Sequence, residues 1–549
     1  MKPSVSAIAS VGIVSTLVAV AWLFFSPAYD TNDDVAIRLF LEGRVVPGAE
    51  PSGYAYLVNL ALSKVIGWFY TLDPRFSWYD LAEQGTLVMS ATLALYCCAR
   101  SVRFPDQAVI IALLSATMLT AMVAIQFTVV AGLATTVGAA TLIFALLAAR
   151  SKVESLVLSG AGAFLFVLGT LFRLQAALLA LFVVASIALP TIIIRFRQGV
   201  LREQRTIIVF SLLALITSAS AWAYYFGEYF GSADWGEFIV FAWRRAQLTD
   251  FAAARLPPAV LERAFVAAGL TVTDYNMLRE WLFFDSSIFS AKSLGTVIEQ
   301  LPTLPNPTIG VATNLSSYVR EYPFFVLGIA GIILRAPRLR VALVSALSLA
   351  AIIIAVALIS VWLKPLPYRA FWPVAVGILF VMWITVEVDQ SSLHWIRRAL
   401  AALLIASASF LVLAQAIEKT QETGLLRQLV SSDLARAPIG SANLMVIVAD
   451  AFPFQLVERP FGRPYLQRSV KTLPLGESQT APPVAQFLKR TALLDNPGRL
   501  CSDDNVIVAR PSALTALKTF YEERRQQVIS YTNVFVGATF SAYRCSVVR

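Results

Sequence analysis

Residues 7–34 read AIASVGIVSTLVAVAWLFFSPAYDTNDD. The stretch from about Ala7 to Phe25 carries no charge and, at about 1.5 Å per residue, is long enough to cross a bilayer core. It follows a short leader bearing Lys2, as a signal peptide would. The apolar run is long, however, and Ser26-Pro27-Ala28-Tyr29-Asp30 is a poor cleavage site, so it reads as a retained anchor. Directly behind it stands Tyr29-Asp30-Thr31-Asn32-Asp33-Asp34, with three acids in five residues at the membrane boundary. Adjacent carboxylates repel, and partial dehydration raises the pKa of at least one. That suits a general base or a cation site where a membrane-borne substrate arrives. Helix capping by Asn32 or Asp33, with Asp34 at the positive end of a 34–42 helix, is the alternative reading.

The rest of the chain has the same character. Of 549 residues, 58% are hydrophobic and 14% charged, with mean hydropathy +0.70. These values exclude a soluble enzyme, a secreted disulfide scaffold or a disordered chain. Further apolar runs fall near 83–99, 107–126, 128–149, 155–172, 175–194, 206–226, 321–336, 340–362, 370–387 and 397–416, predicting about eleven spans. Arg100 with Arg103, Arg150 with Lys152, Arg195 to Arg205, Arg335 to Arg340, and Arg397 with Arg398 alternate with loops poor in positive charge. With Lys2 they mark one side as cytoplasmic and put the N-terminus inside. The net charge of +10 is largely accounted for in this way. No basic run is interleaved with stacking aromatics, so nucleic acid is not an expected partner.

Three segments then lie outside: about 26–82, about 227–320, and the C-terminal region. Between Asp33 and Phe69 the pattern is two short amphipathic helices interrupted by Gly43, Pro47, Gly48, Pro51 and Gly53. The 227–320 segment is helical in pattern. Beyond it, 443–448, 505–509, 528–535 and 540–548 read as strands and 513–525 as a helix, a small α/β domain. The expected fold class is therefore an all-α polytopic membrane protein, residues 1–416, followed by an extracytoplasmic α/β domain, residues 417–549. Cys501 and Cys545 both fall in that domain, where an oxidising compartment permits a disulfide. Cys97 and Cys98 sit in an apolar run. The one histidine, His394, is expected on the cytoplasmic side in a structural role, and Asp503-Asp504 reads as a turn.

Two arginines break the charge rule. Arg173 lies at a tight external hairpin, and Arg369 follows Pro367-Tyr368 in a short external loop. A charge kept at an apolar boundary has a partner, and a guanidinium can hold two phosphate oxygens at once. Snorkelling to lipid headgroups is the alternative. The second outer segment offers Arg244, Arg245, Asp250, Asp274, Trp281 and Asp285. Aromatic faces and acceptors of this kind suit a sugar ring, and equally suit ordinary interfacial helices.

These features together resemble the GT-C superfamily of membrane glycosyltransferases. The likeness is carried by Asn32-Asp33-Asp34 directly after the first span with Gly43 downstream, 74–79 (PRFSWY), Phe172-Arg173-Leu174-Gln175, Asp274-Tyr275 with Trp281 and Asp285, and Pro367-Tyr368-Arg369. The strings are closest to a bacterial branch of the superfamily. The resemblance covers residues 1–416 in architecture. It implies an inverting transfer of a sugar from a polyprenyl-phosphate donor to a lipid or cell-envelope glycan acceptor, on the outer face of a bacterial plasma (inner) membrane. Under it Asp33 is the base, Asp34 orients the acceptor or binds a cation, and Asp30 is a weaker candidate. Arg369, Arg173 and Tyr368 attend the phosphate. Metal use varies across the superfamily, so a divalent cation (Mg or Mn) on Asp33 and Asp34 stays open. A transporter or flippase of lipid-linked glycans, or a glycan polymerase or ligase, shares much of this composition. Neither paired halves nor interrupted spans are visible, and membrane O-acyltransferases generally use a histidine.

Overall fold

The computed structural model describes residues 3–101, 106–149, 151–197, 205–302, 320–334, 339–362, 368–385, 395–439, 442–462, 471–502 and 504–548. The chain is mostly helical. The first helix, α1 (Pro3–Val20), continues in a wider turn to Phe25 and ends at a two-residue strand, β1 (Ala28–Tyr29). That strand pairs in parallel with β2 (Ala124–Ile125), and Asp30 N–H donates to the Ile125 carbonyl at 2.8 Å. Chain leaving the first span is thus pinned before the acidic motif begins.

The segment after β1 forms α2 (Asn32–Leu41) and α3 (Leu60–Leu72). Between them Gly43 takes φ +70°, and a Cβ there would meet the Glu50 backbone at 2.3 Å, so the turn admits glycine alone. Eight helices follow: α4 (Trp78–Ser101), α5 (Asp106–Val123), α6 (Phe127–Ala148), α7 (Lys152–Phe172), α8 (Leu174–Arg197), α9 (Arg205–Gly231), α10 (Ala233–Thr249) and α11 (Pro258–Ala267). Then come α12 (Val272–Arg279), α13 (Ala291–Glu299), α14 (Pro323–Leu334), α15 (Leu339–Trp362), α16 (Tyr368–Thr385) and α17 (Trp395–Arg436).

Among the described residues six helices are long and apolar enough to cross a membrane: Pro3–Phe25, Phe127–Ala148, Lys152–Phe172, Leu174–Ile193, Arg205–Gly231 and Trp395–Arg436. The other expected spans fall on α4, α5, α14, α15 and α16. Of these, α4 carries Asp80, Glu83 and Arg100, and shorter apolar helices lie within the rest. Helix α6 is the hub, its apolar window 89% buried, whereas those of the first span and α9 are 17% buried and present their apolar faces outward. Helices α6 and α7 meet at Gly138 and Gly162. A Cβ on Gly138 would strike the Gly162 carbonyl at 2.6 Å, the close backbone approach that small residues permit between membrane helices.

The expected boundary at 416/417 falls inside α17, which runs unbroken past the apolar run to Arg436. The C-terminal sheet starts later, with β3 (Leu444–Val448), β4 (Lys471–Leu475), β5 (Asn505–Val508), β6 (Ile529–Val536) and β7 (Ser541–Val547) in the order β4-β3-β5-β7-β6. Its first three members are parallel, β7 runs antiparallel to β5, and β6 runs antiparallel to β7 at the edge. Connecting helices are α18 (Phe454–Val457), α19 (Pro482–Thr491), α20 (Pro497–Leu500) and α21 (Pro511–Arg525). Strand β4 went unseen in the sequence because Lys471-Thr472-Leu473-Pro474-Leu475 contains a proline. It is tolerated here at the sheet edge. A disulfide joins Cys501 to Cys545 on β7.

Candidate active site

Asp33 and Asp34 occupy the first turn of α2, at its positive end. No side chain caps that helix. Thr31, its extended N-cap residue, donates instead to Asp34 Oδ2 at 3.1 Å, and Asn32 Oδ1 accepts from the Gln455 amide at 3.1 Å. The two acids then part. Asp34 is 0% exposed and accepts from the Phe127 amide at 2.8 Å and the Tyr79 hydroxyl at 3.3 Å, so it also serves the N-terminus of α6. Burial raises its carboxyl from 3.8 to about 7. The Phe127 bond pulls it down, and the charge of Asp33 adds to the rise.

Asp33 is partly exposed and forms an ion pair with Arg369, from the first turn of α16. It also lines a cavity of about 250 Å³ whose walls include Tyr56, Trp281, Asp450 and Glu477. The far wall comes from the C-terminal sheet: Ala449 and Asp450 follow β3, and Gly476 and Glu477 follow β4.

Arg173 terminates α7 with its guanidinium 5.0 Å from the ring centroid of Phe127. Among the described residues that guanidinium makes no hydrogen bond or ion pair. Desolvation and the like charge of Arg369 pull it below its ordinary value, while Asp33, Glu477 and Tyr56 act in the opposite direction. The hairpin between α7 and α8 and the start of α16 therefore bring two guanidinium groups within electrostatic reach of Asp33.

Arg245, on α10, holds two residues of the cavity wall, Glu477 and Trp281. It donates to Glu477 at 2.6 Å and Asp250 at 2.8 Å, and lies 4.5 Å from the ring centroid of Trp281. The Tyr56 hydroxyl is raised by burial and then by Glu477 and Asp33, which keeps it a neutral donor.

Other expected site residues stand elsewhere. Asp30 pairs with Lys419 of α17, away from the lining of the cavity. Arg244 donates to the Ala291 carbonyl. Asp274 is buried in a capping box at the start of α12 and pairs with Arg524 at 2.6 Å; Asp285 pairs with Arg525 at 3.3 Å. Arg244, Asp274 and Asp285 thus join the helices of 233–299 to each other and to α21. The sequence shows such polar residues but not which of them a cap or an ion pair consumes. The side chain of Tyr368, and residues Pro367, His394 and Asp503, lie outside the described residues.

Glu477, Tyr56 and Asp450 were not singled out in the sequence. Glu477 follows the strand that its proline concealed, and Tyr56 sits in a loop without a motif. Asp450 had a signal, since it comes two residues after an expected strand. For a cation, Asp33 and Asp34 do not fit: one carboxylate meets Arg369, and the other is enclosed by Thr31, Tyr79 and the Phe127 amide. Among the described residues no three His, Cys, Asp or Glu side chains gather as metal ligands.

In three dimensions the chain is similar to ArnT from Cupriavidus metallidurans, determined bound to undecaprenyl phosphate. The match spans 98% of this chain and 97% of that one, with 12% identity and a TM-score of 0.40. No family model matches the sequence, and no curated protein matches it.

Proposed function

We propose that the chain is an inverting glycosyltransferase of the outer membrane face, moving a sugar from a polyprenyl-phosphate donor to a glycan or lipid acceptor. The observation that carries this reading is the placing of Asp33. It opens onto the cavity beside Arg369, while Arg173 stands by without a carboxylate of its own.

In this reading the donor phosphate takes Arg369 and Arg173, and Asp33 is released from its ion pair. Asp33 then accepts the proton of the acceptor hydroxyl. The acceptor oxygen attacks the anomeric carbon from the face opposite the phosphate, a new glycosidic bond forms, and the bond from anomeric carbon to phosphate oxygen breaks. Its electron pair leaves on the polyprenyl phosphate, whose growing negative charge the two guanidinium groups neutralise. A positioned base contributes about 10²- to 10⁴-fold to such a step. Asp34 acts through structure: buried and bonded, it fixes the start of α2 against α6 and so aims Asp33.

The test is transfer of radiolabelled sugar from polyprenyl-phosphate donors in membranes holding the wild type or Asp33→Asn at equal protein levels. Loss of transfer in the variant supports the reading. Transfer that survives removes Asp33 as the base, and a wild type inactive with every donor overturns the transferase reading itself.

A further inference from the structure

A second cavity, of about 180 Å³ and polar in character, adjoins the first. The two share Trp281, Ala449 and Asp450. Its other polar walls are Arg279 and Glu280 from the end of α12 and Arg510 from the chain after β5.

Its position follows from the topology of the sheet. In the order β4-β3-β5-β7-β6, chain leaving β3 turns to β4 on one side. Chain leaving β5 turns through α21 to β6 and β7 on the other. Connections that diverge in this way open a crevice at the carboxyl ends of the two parallel strands, the point at which open α/β sheets bind ligands. Asp450 and Arg510 stand on its two lips and pair across it at 2.5 Å. Both are 59% exposed, so an incoming ligand exchanges that pair at little cost.

The wall between the cavities is held in an uncommon conformation. Trp281 has φ +59° and Ala449 φ +53°, left-handed values that favour glycine. The Trp281 carbonyl accepts from Gln479, and Arg245 stacks on its ring, so the indole is fixed between the two spaces.

We propose that this crevice is a saccharide subsite, which holds a second sugar ring of the acceptor while the ring bearing the reacting hydroxyl faces Asp33. The inference rests on the transferase reading for the word acceptor, and on the crevice alone for the sugar. Two arginines and two carboxylates balance in charge, which disfavours a lone anion. They supply donors and acceptors for hydroxyl groups on both sides of a ring, beside an aromatic wall. A glycan of two or more rings therefore spans both cavities past Trp281, and a monosaccharide fills only one.

Full-length protein in detergent, fluorescently labelled, is applied to an array of defined neutral and anionic oligosaccharides of one to four rings. The same preparation is assayed for sugar transfer. The wild type is expected to retain neutral glycans of at least two rings over the matching monosaccharides. Asp450→Asn with Arg510→Gln is expected to lose that binding by about tenfold or more, as the loss of hydrogen bonds to charged groups requires. Glu280→Gln, a single half-buried substitution outside the first cavity, gives a smaller loss and guards against misfolding of the double variant, whose thermal midpoint is measured alongside. Retention of anionic glycans alone, of no neutral glycan, or undiminished binding by the double variant overturns the proposal. Binding lost in the variants of a wild type that transfers nothing keeps the subsite and removes the transferase reading.

Discussion

Asp33 and Asp34 are consecutive residues in one helical turn, yet Asp34 is wholly buried on the Phe127 amide while Asp33 pairs with Arg369 at the edge of a cavity. One rotation step along a helix, about 100°, separates a side chain facing the cavity from one locked into the protein. The opening onto the cavity and the anchoring are divided between neighbours.

That division predicts unequal effects. Asp33→Asn should lower transfer by about 10²- to 10⁴-fold with an unchanged thermal midpoint. Asp34→Asn keeps an acceptor for the Phe127 amide, so it should cost far less activity. Equal losses from both, measured as initial rates at equal protein levels, would contradict the assignment.

Stability should depend on pH through Asp34. Its folded value, about 7, lies above its ordinary 3.8, so the folded chain holds a proton that the unfolded chain releases between those values. Stability is greatest below the lower value and falls as pH rises through the upper one. Thermal midpoints in detergent should therefore decline from pH 4 to pH 7 in the wild type, and Asp34→Asn should lessen this slope without abolishing it, because the buried Glu83 carboxyl beside Asp34 remains.

Arg173 and Arg369 should act on the donor. Arg173→Gln leaves Asp33 with its Arg369 partner and removes one phosphate-facing charge. Arg369→Gln removes the charge and the partner together. Each should reduce kcat/KM by about 10²-fold or more, with the acceptor KM less affected than the donor KM. Initial-rate measurements with each substrate varied in turn separate the two.

The C-terminal region is fastened to α2 by Arg38, which donates to the carbonyls of Arg459 at 3.0 Å and Gly462 at 3.1 Å and lies 3.5 Å from Asp80. Arg38→Met removes that clamp and leaves the buried Asp80 without its cation. It should cost about 3 to 5 kcal/mol. A lower thermal midpoint would show it.

The disulfide closes a loop across 44 positions of sequence. Replacing Cys501 and Cys545 with serine should lower the stability of the C-terminal sheet by about 2 to 4 kcal/mol. Reduction of the wild type should reproduce the effect and leave the midpoint of the double variant unchanged.

Much of the fold was legible because apolar runs and turn residues act locally. The runs gave helices near their expected places, and four of the five C-terminal strands followed from alternation and turn signals. The fifth, β4, was hidden by Pro474, whose place at a sheet edge depends on neighbours far away in sequence. The end of α17 at Arg436, rather than near 416, was hidden because helix continuation beyond the apolar run needs only an absence of breakers.

The sequence by itself determined the solvent this chain folds in, its helical class, and the cluster of acids after the first span, since composition and periodicity answer to water and lipid alone. Which acid faces the cavity, which arginines join it, and which polar residues of 227–320 are spent on caps and ion pairs were decided only in three dimensions. Arg369 lies 336 positions from Asp33, and Glu477 is brought in by the C-terminal sheet. No local pattern encodes such meetings, because they arise from the packing of α2, α7, α16 and the ends of β3 and β4 around one space.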